Sequence, residues 1–124
     1  MDYKKILSLP TLDLINWLDR SFRITLPTEI LSVEDMQEAS NLLIQLSGYY
    51  SYLCSLSSYA KAVTRIIKRE GNKKEYEDMV DKKEAIQNVT EAVKQQYSAV
   101  SRAVTIHIEN NQELKMNTTG IIKY

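Results

Sequence analysis

Residues 33–70 read VEDMQEASNLLIQLSGYYSYLCSLSSYAKAVTRIIKRE, and apolar side chains recur in them at Ala39, Leu42, Leu46, Tyr49, Leu53, Leu56, Ala60, Val63 and Ile67. The steps alternate three and four, which keeps a single stripe of an α-helix turned toward a partner helix. Ser32 offers a side-chain cap, and Glu34 and Asp35 place negative charge in the first turn. Lys68 and Arg69 place positive charge in the last. The spacing predicts a coiled-coil-like helix across this segment.

Downstream, Gly71-Asn72 is the first break signal, and no proline follows Pro27. Gly71 suits a left-handed helix end, and Asn72 can cap a second helix. That helix carries Ile86, Val89, Val93, Val100, Val104 and Ile108 at broadly helical spacing up to Asn110-Asn111, with Gln96 and His107 at or near the seam. His107 then reads as a residue satisfying the helix end. Two helices joined by so short a turn must fold back on each other. Each, at about 38 residues, would span ~57 Å.

Upstream, Thr11 can cap a short helix in which Leu14, Ile15, Leu18 and Phe22 share a face, with Trp17 anchoring it to the hairpin. The segment Arg23-Ile24-Thr25-Leu26 before Pro27 reads as extended. The expected fold is all-α: a long antiparallel helical hairpin with a short N-terminal helix packed against it. Its parts are a lead-in over 1–31, a hairpin over 32–110 turning at 71–72, and a flexible tail over 111–124.

Composition narrows the chemistry. The 124 residues hold 16 basic and 16 acidic side chains, one histidine and one cysteine, so neither an internal disulfide nor a zinc ligand set is available. There is no Gly-rich phosphate loop, Ser-His-Asp set or CxxC pair. Cys54 has no basic neighbour within a turn and reads as structural. Asp78 and Asp81 open the second helix and read as complements to its dipole rather than as a metal pair. The expectation is a chain that is not an enzyme, with no catalytic residue, metal or cofactor.

The segment Ala39–Ala60 carries no charge, yet its six serines, four tyrosines, Asn41 and Gln45 make it too polar for a membrane span. No export signal is visible, and a cytoplasmic location without membrane attachment follows as the expectation. A charge-free helix needs enclosure on more than one side. On its back lies a row of small residues, Gly48, Ser51, Ser55, Ser58 and Ala62, that permits close helix approach. Homo-oligomerisation through this row is expected, with Tyr49, Tyr50, Tyr52 and Tyr59 as further interface residues.

Charge is uneven along the chain: residues 1–45 hold four basic and seven acidic side chains, and residues 61–83 hold eight and five. Lys61, Arg65 and Lys68 share an outward stripe that Arg69, Lys73 and Lys74 continue around the turn. Such a stripe can neutralise phosphates, and Tyr59 and Tyr76 can offer stacking faces to bases. The same charges, diluted by Glu70, Glu75 and Glu77, also fit a solvated tip.

Ile67-Lys68-Arg69-Glu70-Gly71 at the turn and the run Ala99-Val100-Ser101-Arg102-Ala103-Val104-Thr105-Ile106-His107-Ile108-Glu109 resemble the phage recombination mediator (UvsY-like) family over roughly residues 39–110. The resemblance implies an oligomer that binds single-stranded DNA and helps load a recombinase, in a host-cell cytoplasm. The aromatic pair that this family places before its glycine turn is replaced here by Arg69-Glu70. A second expectation is a small phage or mobile-element module, an anti-defence inhibitor or assembly chaperone, that occludes a protein partner through its tyrosines.

Overall fold

The computed structural model describes residues 2–23 and 33–123, with side chains described for 2–23 and 36–110. Its elements are α1 (Tyr3–Ser8), α2 (Thr11–Ser21), α3 (Val33–Glu70) and α4 (Lys73–Lys123). No strand occurs among the described residues. The expected Ser32 cap and the extended reading of 24–26 lie outside them.

The long helices pack against each other as the expected hairpin. Of the nine stripe residues in α3, Ala39, Leu46, Leu53, Leu56 and Ala60 are fully buried, and the other four are half-buried. Met79, Ile86, Val93 and Val100 meet them from α4. Burying one such leucine or valine side chain contributes ~1.5–3 kcal/mol relative to leaving it in water.

The turn works differently from the expected left-handed cap. Gly71 does not adopt a positive φ. It is required by close approach instead: a Cβ there would lie 2.8 Å from the Ile67 side chain and 2.9 Å from the Ile67 carbonyl oxygen. That same carbonyl accepts the Gly71 amide at 2.7 Å. Asn72 caps α4 as expected, its Oδ1 accepting from the Glu75 amide at 2.8 Å. The Asn72 amide group donates in turn to the Glu75 carboxylate at 3.2 Å, a reciprocal arrangement like a capping box.

Three other expectations are corrected. First, α4 does not end at Asn110-Asn111 but runs 51 residues to Lys123, against 38 in α3. His107 therefore sits inside a helix rather than at its end. Second, the lead-in holds two helices, because Asp2 caps α1 by accepting from the Lys5 amide at 2.9 Å. Third, Thr11 is the first residue of α2 and not its cap. Its hydroxyl donates to Asp78 of α4 at 2.9 Å. Leu14 and Leu18 of α2 and Phe22 at its C-cap are buried as expected, whereas Ile15 remains 43% exposed.

Together α1 and α2 cover one side of the hairpin. Tyr3 packs on Tyr52 and Tyr59 with ring centroids 5.5 and 5.7 Å apart. Phe22 meets Tyr49 edge-on at 5.1 Å and Trp17 at 5.7 Å, so Trp17 reaches the hairpin through Phe22. Edge-to-face pairs at these separations are favourable beyond their buried area. The opposite side of the hairpin is left open.

Candidate functional site

On that open side, α3 and α4 enclose a groove. Near the turn it forms a recess of about 250 Å³ lined by Lys61, Thr64, Arg65, Lys68, Tyr76 and Lys83. Helical spacing explains the grouping. Lys61, Thr64 and Lys68 stand three and four apart on α3, and Tyr76 and Lys83 stand one heptad apart on α4. The Thr64 hydroxyl turns back to the Ala60 carbonyl at 2.6 Å and is thus engaged within its own helix.

Lys61, Arg65, Lys68 and Lys83 form no ion pair among the described residues. Four positive charges facing one recess without a carboxylate partner give a local positive potential that a phosphate chain can neutralise. Tyr76 is half-buried at its wall, with a ring beside the cations.

Of the six expected basic residues, the fold brings Lys61, Arg65 and Lys68 together here. Lys73 instead lies 3.9 Å from the Glu77 carboxylate. Arg69 and Lys74 are exposed near the turn but do not line the recess. Lys83 was missed by the sequence reading, although its position seven residues after Tyr76 places it on the same face. Tyr59, considered for stacking, packs against Tyr3 on the covered side.

The expected interface residues divide between the two sides. Tyr49, Tyr52 and Tyr59 pack in the aromatic cluster under the lead-in. Burial raises the Tyr52 phenol above its ordinary range, with Tyr3 and Asp2 adding to the effect. Tyr50 lies along the open groove, where a hydrogen bond with Cys54 raises its phenol. Gly48, Ser51, Ser55, Ser58 and Ala62 are all exposed, and among the described residues no other element comes within 4 Å of where a Gly48 Cβ would stand.

No helix of the described residues is long and apolar enough to cross a membrane. No family profile, curated protein or solved structure matches the chain.

Proposed function

We propose that this chain is a non-catalytic, self-associating helical protein that binds single-stranded nucleic acid in the groove between α3 and α4. Lys61, Arg65, Lys68 and Lys83 take the phosphates, and Tyr76 supports a base. The observation that carries this reading is the convergence of four cations free of ion pairs, and one aromatic ring, on a single recess. Helping a recombinase load onto such strands is the role that the family resemblance adds.

Occlusion of a protein partner through the tyrosines draws less support. Three of the four tyrosines proposed for that surface are engaged beneath α1 and α2. Self-association is supported by the exposed small-residue row, of which Gly48, Ser51, Ser55 and Ser58 lie on the charge-free stretch of α3.

The deciding experiment is fluorescence anisotropy with a labelled oligothymidine across a salt series. Four phosphate contacts give a log–log salt slope of about −3 for a single strand. Lys68→Ala with Lys83→Ala should halve that slope and weaken binding at every salt concentration, with helical circular dichroism unchanged. Lys73→Ala with Lys74→Ala should do less, because neither lines the recess. Equal affinity and slope in the Lys68/Lys83 double variant would overturn the assignment. A chain that ignores oligonucleotides and holds a protein regardless of salt would favour occlusion.

A further inference from the structure

The basic recess is one end of a longer groove. Beyond it lies a stretch of about 300 Å³ lined by Tyr50, Cys54, Ser57, Ser58, Lys61, Gln87, Thr90 and Glu91. Next comes a more apolar pocket of about 270 Å³ lined by Ser47, Tyr50, Lys94, Tyr97 and Ser98. Lys61 belongs to both the first and second segments, and Tyr50 to both the second and third. Shared walls make the three recesses one track. From Ser47 to Lys68 it follows α3 for ~32 Å.

The track has a chemical gradient. Cations crowd the end near the turn, hydroxyl and amide groups line the middle, and the far pocket pairs two tyrosines with Lys94. Glu91 is the carboxylate bordering the middle stretch. It lies near enough to Tyr50 to help raise its phenol, so phosphates are disfavoured there. Tyr97 is 40% exposed, so its ring is open to a ligand.

We propose that the Tyr50–Tyr97–Lys94 pocket is a base-stacking site for the same strand whose phosphates lie in the basic recess, so that the strand runs along the hairpin toward α3's N-terminal half. This inference rests on the reading above and goes beyond it by fixing the path and footprint of the strand. The two sites are separated along α3 by the 11 residues from Tyr50 to Lys61, or ~16 Å. A strand stacked at ~3.4 Å per nucleotide needs about five nucleotides to bridge them. Short oligomers therefore occupy only the cationic end, and longer ones reach both.

The test measures anisotropy binding of labelled dT3 and dT12, with rU12 alongside, by the wild type and by Tyr97→Ala, Tyr97→Phe and Lys94→Ala. Tyr97→Ala should weaken dT12 about 5- to 100-fold, the range for losing one stacked base, while leaving dT3 unchanged. Tyr97→Phe should keep wild-type affinity, because the ring and not the hydroxyl is used. Equal weakening of rU12 identifies a track indifferent to the sugar; weakening of only one assigns the site to DNA or to RNA. Wild-type dT12 affinity in Tyr97→Ala would overturn the track yet leave the cationic recess standing. Binding of dT12 no tighter than dT3 by the wild type would do the same. Failure of the wild type to bind any of these oligomers would overturn both readings.

Discussion

Lys82 occupies a place in the α4 seam, between Met79 and Ile86, where an apolar side chain would ordinarily sit. It is 6% exposed, and its ammonium donates to the Leu7 carbonyl at 2.8 Å and pairs with Asp78 at 3.1 Å. Leu7 lies in the last turn of α1, whose carbonyls lack helical partners, so the lysine completes that helix end. Asp78 accepts from Thr11 at the start of α2, and one buried cation thereby fastens both lead-in helices to the hairpin. The Thr11 hydrogen bond, followed by the hydrogen bond and charge of Lys82, holds the Asp78 carboxyl below its ordinary range despite some burial. A carboxylate with a depressed folded pKa stabilises the fold above its unfolded value, near 3.9, and loses that contribution as pH falls through the folded value. The lead-in should therefore loosen as acid is added below about pH 4. Trp17, the chain's one tryptophan, reports on it through fluorescence. Asp78→Asn should remove this part of the titration; an identical acid transition in wild type and variant would show that Asp78 does not fasten the lead-in. The position of Lys82 was legible in part. Counting back from Ile86 by four and three gives Lys82 and Met79, but the carbonyl of Leu7 that makes burial of the ammonium tolerable comes from a distant helix.

Among the elements, the hairpin was readable because its two determinants are local. The three-four stripe of α3 needs only its own sequence, and Asn72 with Glu75 forms its cap within four residues. What the sequence misread depends on distant atoms. Gly71 was expected to be needed for its backbone freedom, whereas it is the Ile67 carbonyl and side chain that leave no room for a Cβ. Gly71→Ala should consequently destabilise the chain by ~1–3 kcal/mol, the range for forcing extra volume into a packed site. Urea unfolding followed by circular dichroism measures this, and a midpoint equal to wild type would mean the turn relaxes at no cost. The far end of α4 was misjudged for the opposite reason. Asn110 and Asn111 are weak helix formers, yet propensity alone does not end a helix that neither proline nor glycine interrupts until Gly120. The recess near the turn was half legible, since Lys61, Arg65 and Lys68 share a stripe but Lys83 joins them only once α4 folds back.

In the whole molecule, the lead-in assigns different work to the two sides of the hairpin. One side is closed by α1 and α2 over an aromatic cluster, and the other carries the groove that runs from Lys68 to Ser47. The small-residue row follows the track one position further round α3, as Gly48, Ser51, Ser55, Ser58 and Ala62 stand beside Ser47, Tyr50, Cys54, Ser57 and Lys61. Ser58 belongs to both the row and the middle of the groove, so a second copy seated on the row would border the groove there, and two grooves would lie side by side. Linked sites of modest affinity gain strongly when one strand can engage both. Ser55→Glu tests this arrangement, because it puts a charge into the row while leaving every residue of the groove in place. Ser55 is exposed, so the folded chain accommodates the change, and circular dichroism should be unaltered. Native mass spectrometry should show an oligomer for the wild type and a monomer for the variant. Long oligonucleotides should then bind more weakly, and dT3 as before. An unchanged mass would show that the row faces water and that the groove acts in a single chain. A reduced mass with undiminished binding of long strands would separate assembly from strand capture.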